Sequence, residues 1–359
     1  MTDIVVIGGG IAGVSVAARL APLGDVLLLE GEDSLGFHAS GRSAAMFLSE
    51  YGNHVVRALN HASAEHHHHA DGGVLSPRGV MLLGRAADAE AFEAERGGME
   101  MERLSPQEAA ERFPILNAET VAHAALREDV YDLDTDLCLQ NFARAARAAG
   151  ARFETNAQIT QIARSGKRWR VHWRTGEAEA DILVNAAGAW ADPVARLADV
   201  APFGLQPYRR SMALLPSPGG RDTSRWPFVV AAGERWYGKP ESGKWAVSPS
   251  EADPVDPHDA WADDMVLAEG LARYEEMVTE PVARVERSWA GLRTFAPDNA
   301  LVIGEDPAAP GFWWLAGQGG YGFQTAPAAS ALLADLVAGR QPELETGVVA
   351  ALSPARFRS

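Results

Sequence analysis

The feature that most restricts this chain is Gly8–Gly9–Gly10–Ile11–Ala12–Gly13, a G-x-G-x-x-G run with an apolar tetrad before it and a helical stretch behind it. Ile4 to Ile7 is compact and apolar and ends in glycine, which reads as a buried parallel strand. Ala12 to Ala21 has helical character, and Pro22 and Gly24 stop it. Val26 to Leu29 is a second apolar run. Strand, glycine turn, helix and strand within about 30 residues make a βαβ unit. The glycines have steric tasks there: Gly8 the tight turn, Gly10 the close approach of a pyrophosphate, Gly13 the packing of helix on sheet. The helix start at Ala12 aims unsatisfied N–H groups and a positive dipole end at that pyrophosphate. Glu30, about 20 residues after the glycines, is placed to accept hydrogen bonds from a ribose, and its charge repels a 2′-phosphate. The unit therefore selects a dinucleotide, NAD or FAD, and disfavours NADP.

Other segments repeat this α/β character. Thr135 to Ala149 follows Asp134 and resembles a capped helix ending at Gly150. Ile182 to Asn185 and Phe312 to Ala316 are short buried strands, each followed by small residues, and a helix is expected from about 326 to 338. Between them, residues 46 to 130 mix charged helical segments with glycine breaks. Residues 205 to 292 alternate in strand fashion around Trp236, Tyr237, Lys239, Trp245 and Val247. The expected fold class is α/β: a Rossmann-like domain from segments 1–45, 135–205 and 293–359, interleaved with an α+β substrate domain from 46–134 and 206–292 that carries a mainly antiparallel sheet.

Composition removes whole classes. With 32 basic against 48 acidic residues the net charge is −16, so no general positive field exists to hold nucleic acid or an anionic membrane. Cys138 is the single cysteine, which excludes an intramolecular disulfide and a multi-cysteine zinc site. No run of about 18 uninterrupted apolar residues suggests a membrane span, and Asp3 precedes the apolar start where a signal peptide would carry basic residues. The expected location is the cytoplasm. His66 to His69 read as exposed imidazoles without the spacing of a dedicated metal site, so no metal is expected.

Four ordered motifs resemble the D-amino acid oxidase superfamily of FAD-dependent oxidoreductases. Gly36–Phe37–His38–Ala39–Ser40–Gly41–Arg42–Ser43–Ala44–Ala45 is similar to the segment that wraps the flavin. Leu183–Val184–Asn185–Ala186–Ala187–Gly188–Ala189–Trp190 resembles the second flavin-domain strand and turn. Trp289–Ala290–Gly291–Leu292–Arg293 and Gln318–Gly319–Gly320–Tyr321–Gly322–Phe323–Gln324–Thr325 resemble the last two signatures. Leu75–Ser76–Pro77–Arg78, Arg209–Arg210–Ser211 and Ala252–Asp253–Pro254–Val255 are most similar to bacterial D-arginine dehydrogenases. The resemblance implies non-covalent FAD, because the family's covalent members use a differently placed cysteine than Cys138. It implies FAD contacts from Gly8, Gly10, Ala12, Gly13, Glu30, Gly31, His38, residues 39–45, Met46, Ile159, Ala187, Gly188 and the run Gly317, Gln318, Gly319, Gly320, Tyr321, Gly322, Phe323, Gln324. His38 is open to either flavin positioning or a structural role.

Carried over in the same way, Arg293 is the first candidate to clamp a substrate carboxylate, since a planar guanidinium binds one bidentately. Arg210 and Tyr237 are further candidates beside it, and Tyr51 corresponds to a lid tyrosine, with Gly52 to let its loop move. The pocket is expected to include Met46, Leu48, Val80, Gly320 and Gln324. The implied activity is oxidative deamination of an amino acid, with the α-hydrogen leaving as hydride to flavin N5 and the imino acid hydrolysing to a 2-oxo acid. D-Arginine dehydrogenases surround a cationic side chain with polar and acidic groups, whereas Met46, Leu48 and Val80 stand at those positions here. A guanidinium against them would be desolvated without a counter-charge, at a cost of several kcal/mol. A neutral or apolar D-amino acid is therefore expected, with a secondary-amine acid of the sarcosine or proline type, or a 2-hydroxy acid, as the alternatives. Glu50, if it turns inward, readmits a cationic substrate. The electron acceptor, quinone-type or oxygen, is not legible, and Lys239 and Lys244 read as solvated strand residues.

Overall fold

The structure is a computed structural model and describes residues 2–358. Its first sheet has six strands in the order Val302–Glu305, Phe312–Ala316, Ile182–Asn185, Ile4–Ile7, Val26–Leu29, Arg152–Glu154. Every pair is parallel except the first. The central strand is buried at all four residues because both faces of the sheet are covered. Val6, Leu28 and Val184 pack with the helices Ile11–Leu20, Thr135–Ala148 and Gly322–Val337. Val5, Leu27 and Leu183, one residue out of phase, pack instead with Trp169, Val171 and Trp173 of a three-stranded antiparallel meander.

The expected strands all form at their expected bounds. The helix after Asp134 forms too, with the Asp134 carboxylate accepting from the Leu137 amide at 2.9 Å. The last long helix begins at Gly322, four residues before the expected start, because the glycine run leads directly into its first turn: the Thr325 amide already donates to the Tyr321 carbonyl at 3.0 Å.

A second sheet of nine strands takes its residues from 80–127 and 206–295. Only Phe228–Ala231 and Val80–Arg85 pair in parallel, so it is mainly antiparallel. The hairpin Tyr237–Glu241 to Lys244–Ser248 turns at Ser242 and Gly243, both at positive φ, as a two-residue turn matched to strand twist requires. Gln206–Leu215 runs against Arg287–Phe295 from the pair Gln206–Phe295 to the pair Leu214–Arg287. Alternation along this ribbon separates two neighbouring arginines. Arg209 faces one side, where it bonds Asp253 at 2.7 Å, and Arg210 faces the other with Met212 and Arg293. The face behind Arg209 is closed by Met81, Leu83, Ala213, Val229, Trp245 and Val247. The face bearing Arg210 opens toward the first sheet.

A short third sheet joins Met46–Phe47, Tyr131–Leu133 and Leu75–Pro77, and so ties the loop after Gly36 to both larger units. Among the described residues no helix is long and apolar enough to cross a membrane.

The glycine loop gives a direct test of this packing. A Cβ on Gly13 would lie 1.8 Å from the Gly8 carbonyl oxygen, a backbone atom that cannot step aside. Gly13→Ala is expected to destabilise the apoprotein by about 1–3 kcal/mol in urea denaturation. Gly97, inside the helix Ala89–Gly98 with open space around it, is the opposite case. Gly97→Ala is expected to stabilise by about 0.4–1 kcal/mol.

Candidate active site

A cavity of about 950 Å³ runs from the glycine loop, past the small residues of 39–45, to the open face of the nine-stranded sheet. It lies outside the carboxyl ends of the central parallel strands, where open α/β sheets hold their ligands. At its inner end Gly8 has φ +109°, and a Cβ there would fall 2.4 Å from the Ala186 carbonyl oxygen. Only glycine lets the two turns approach this closely. Glu30 holds the loop in shape: it accepts from the Gly9 amide at 2.5 Å and the Glu32 amide at 2.9 Å. The Ile11 amide donates to Ser40 Oγ at 3.0 Å, which ties the start of the first helix to the wrapping loop. Gly10, Ala12, Gly31, Ile159, Ala187 and Gly188 line the same end.

The wrapping loop is docked from outside. Arg42 donates to Asp259 Oδ1 at 2.5 Å and to the carbonyls of Ala260 at 2.7 Å and Ala290 at 3.0 Å. His38 sits on the wall with Nε2 2.8 Å from Glu32 Oε1 and its ring 4.5 Å from Trp190. Ala39, Ser40, Ser43, Ala44, Ala45 and Met46 line the cavity beyond it. Opposite, the Gly319 amide donates to the Thr294 carbonyl at 2.8 Å, so the glycine-rich turn is pinned to the strand that carries Arg293. Gly320 leaves room for that side chain, since a Cβ there would stand 3.3 Å from Arg293 Nη1.

At the outer end Tyr51, Arg210, Tyr237 and Arg293 come together on the wall, as do Met46, Val80, Gly320 and Gln324. Arg210 donates Nε to the Glu251 carbonyl at 2.7 Å, and its side chain is nine-tenths buried. Its Nη2 has no hydrogen-bond partner; the nearest carboxylate, Glu234, is 3.9 Å away. Arg293 Nε is buried and equally unpartnered. Burial, then the like charge of Arg210, pushes the Arg293 guanidinium below its ordinary value, though it stays cationic. The Tyr51 phenol is pushed up to about 12 by burial, so it is a hydrogen-bond donor at neutral pH. Its ring packs edge-on to Tyr321, and its carbonyl accepts from Asn60 Nδ2 at 3.0 Å. Tyr237 stacks on Phe228, with the Arg210 guanidinium 5.8 Å from its ring centre.

Several expected residues lie behind the wall. Leu48 is a correction to the expected pocket: its side chain is buried among Val80, Leu82, Phe92 and Val130, and only its amide reaches toward the site, donating to Gln324 Oε1 at 3.0 Å. Gly13 packs on Gly8, Gly41 donates its amide to the Gly36 carbonyl at 2.6 Å, and Gly317 abuts Ala296 and Ala300. Tyr321 backs Tyr51 rather than facing the cavity. Cys138 is buried in a helix, off the wall, with its thiol pushed up to about 12 by burial, which leaves it out of reach of a thioether link to flavin.

Two other readings change. His67 is buried rather than exposed, with Nε2 3.0 Å from the Gln324 carbonyl, while His66 stacks on Phe142. Lys239 is not solvated: it is 8% exposed and donates to the Ala44 carbonyl at 2.9 Å. Lys244 is the solvent-side lysine and pairs with Glu286. Among the described residues no cluster of three metal-ligating side chains exists. The sequence reading also missed wall residues. Met212 is two positions from Arg210, and Phe228 and Val230 are two apart on one strand, so period-two alternation would have found them. Glu95 and Glu234 reach the wall from a helix and a turn, where no periodicity marks them.

The parts in place are a dinucleotide crevice, small residues along the middle of the cavity, and two unpaired guanidinium groups at its end. These define a flavin oxidoreductase site. The chain belongs to the FAD dependent oxidoreductase family, whose model matches residues 3–336. It is 25% identical to FAD-dependent oxidoreductase domain-containing protein 1 of Bos taurus, over 94% of this chain and 81% of that protein. It is 27% identical to the tRNA 5-methylaminomethyl-2-thiouridine biosynthesis bifunctional protein MnmC of Burkholderia vietnamiensis, over 99% of this chain but 59% of that longer protein. L-proline dehydrogenase from P. horikoshii has the same fold, with TM-score 0.83 at 21% identity over 99% and 98% of the two chains. FAD is the cofactor. The crevice that would clash with any Cβ at Gly8, the Glu30 carboxylate and the small residues of 39–45 fit its ADP and flavin halves.

His67 supplies a pH test of the wall. Burial pushes its imidazole down to about 4, against 6.5 for an ordinary histidine. Between about pH 6.5 and 4 the unfolded chain therefore binds the extra proton, and stability falls on acidification through that window. His67→Gln is expected to flatten this part of the decline in urea midpoint. A decline identical to wild type would mean that the buried ring is not held neutral.

Proposed function

We propose that this enzyme oxidises a neutral or apolar amino acid at its α-carbon, the D enantiomer by the likeness to D-arginine dehydrogenases. The observation that carries the reading is the Arg210–Arg293 pair, two guanidinium groups on one cavity wall with buried nitrogens lacking partners. Such an arrangement is stable only when an anion completes it, and a substrate carboxylate does so bidentately. Tyr51, a neutral phenol, and Tyr237 stand beside the pair and add donors to the same carboxylate. The two positive charges also lower the pKa of the substrate amine, which favours the unprotonated form and removes the need for a dedicated base. FAD, when bound, takes up the α-hydrogen as hydride. The imino acid product then gains water and releases ammonia, leaving the 2-oxo acid.

Met46, Val80, Met212, Phe228 and Val230 present apolar surface to the substrate side chain. A secondary-amine acid fits the same surface, because an N-alkyl group needs only apolar contact, and the fold shared with L-proline dehydrogenase agrees with that second reading. An anaerobic panel decides between them. Neutral amino acids as enantiomer pairs, glycine, N-methyl amino acids, proline and 2-hydroxy acids are mixed with the holoenzyme, and bleaching of the flavin is followed. Bleaching by D-alanine-sized to D-leucine-sized substrates is expected; bleaching only by 2-hydroxy acids, or by nothing, overturns the proposal. Air readmission then separates an oxygen-using oxidase from a dehydrogenase with a quinone-type acceptor. With the best substrate, Arg293→Gln is expected to lower kcat/KM by about 10²-fold or more, the cost of unpairing a desolvated carboxylate.

Glu50, Glu95 and Glu234 line the outer cavity, so the cationic substrate that an inward Glu50 readmits belongs in the same anaerobic panel, as D-arginine and D-lysine; Glu50 is also 3.3 Å from His61. Glu234 also opposes Tyr51 ionisation and favours charged Arg293, so its field reaches the anion-binding pair. A second carboxylate on the substrate would be repelled there. Glu234→Gln is expected to raise kcat/KM for D-glutamate by a few fold, an effect that shrinks at high salt because Glu234 is exposed. An unchanged ratio of D-glutamate to D-glutamine turnover would remove Glu234 from substrate choice.

A further inference from the structure

The loop that lines the middle of the cavity is anchored firmly at both ends. Arg42 binds it to Asp259 and to the Ala260 and Ala290 carbonyls, and Met46–Phe47 pairs with Tyr131 and Asp132. Between those anchors Ser43, Ala44 and Ala45 carry small side chains, of which Ala45 packs against the core beside the first sheet. Three hydrogen bonds hold them: the Ala45 amide to Ser43 Oγ at 3.2 Å, the Leu133 amide to the Ala45 carbonyl at 3.4 Å, and Lys239 Nζ to the Ala44 carbonyl at 2.9 Å. The last is the shortest, and its donor carries a full charge.

Lys239 is an expensive residue to place there. Lysine is almost never fully buried unless paired, and this one is 8% exposed in the middle of a strand. Its charge is compensated by Asp132 Oδ1 at 3.6 Å and Glu241 Oε2 at 3.8 Å. Asp132 is itself held by Arg78 Nε at 2.6 Å on its other oxygen, and Arg78 Nη1 donates to the carbonyls of Ser224 and Trp226. A chain of contacts thus runs from the segment before Phe228–Ala231 through Arg78 and Asp132 to Lys239 of the nine-stranded sheet, and from Lys239 to one backbone carbonyl of the loop.

We infer that Lys239 is a positioning residue for FAD: it keeps the Ala44 carbonyl turned onto the ammonium and out of the cavity, so that the loop offers the flavin no negative dipole. A carbonyl oxygen pointing inward would oppose the electron density that an accepting flavin takes on, and would narrow a cavity wall built from alanine and serine. Asp132 compensates the ammonium from 3.6 Å without a hydrogen bond, and Arg78 holds Asp132 in place. The inference rests on the FAD fit and not on which amino acid is oxidised, so it can fail while the substrate reading stands, and the reverse.

The test is FAD affinity, measured by titrating apoprotein with FAD and following flavin fluorescence, beside the urea midpoint of the apoprotein. Lys239→Met keeps the length and removes the charge. It is expected to weaken FAD binding about tenfold or more, as loss of a charge-assisted hydrogen bond would. The apoprotein midpoint is expected to stay at the wild-type value, and Lys239→Arg to restore affinity to within about threefold, the lesser loss a partly retained hydrogen bond leaves. Unchanged FAD binding in Lys239→Met, or a loss of affinity that only tracks a loss of apoprotein stability, overturns the inference. Should Lys239→Met not fold, Asp132→Asn leaves the ammonium without its oriented partner. Weaker FAD binding in that variant supports the positioning chain, and wild-type binding overturns it.

Discussion

Two like-charged guanidinium groups facing one cavity constrain much of this structure. Arg210 and Arg293 repel each other, are largely taken out of water, and lack a carboxylate within hydrogen-bonding distance. Folding alone does not favour that arrangement, because desolvated charges without partners cost several kcal/mol. The surroundings must hold it in place. The long antiparallel ribbon fixes both arginines on one face by register, and the Gly319 amide ties the glycine-rich turn to the Arg293 strand. Gly320 leaves the space that Arg293 occupies. Behind them a dense aromatic layer, including Phe113, Trp226 and Trp245, gives the sheet the rigidity to keep the unpaired donors from collapsing onto other partners.

The nucleotide half of the molecule was legible because its constraints are local. A strand that is buried on both faces is a continuous apolar run, a glycine turn has few substitutes, and a ribose-binding carboxylate must end the next strand. Ile4–Ile7, Val26–Leu29, Ile182–Asn185 and Phe312–Ala316 follow from that grammar and fall where it puts them. The arginines were reached by resemblance and then explained by alternation: Arg209 and Arg210 are neighbours in sequence, yet only the second can face the cavity.

What stayed hidden depended on the third dimension. Leu48, like Met46, is placed on the pocket wall by resemblance to D-arginine dehydrogenases. The strand ends at Phe47, however, and the backbone turns Leu48 into the core. His67 differs from its histidine neighbours only in which helix face meets the last long helix. Lys239 reads as solvated because a strand lysine usually is, and nothing in its own strand reveals that a loop 195 positions away supplies the Ala44 carbonyl it donates to. Glu234 has positive φ in a turn, a position that no pattern of hydrophobicity marks.

The net charge of −16 takes on a different meaning once the cavity is described. The excess acid is not confined to the outer surface: Glu50, Glu95 and Glu234 line the cavity beside Arg210, Arg293 and the apolar Met46, Val80 and Phe228. Glu234 Oε2 lies 3.9 Å from Arg210 Nη2, so charges of both signs stand side by side at the outer end. Under the proposed reading a zwitterionic amino acid would meet cations for its carboxylate and carboxylates for its ammonium at that end. Under that reading the arginine pair would also favour the unprotonated amine, the form from which hydride leaves.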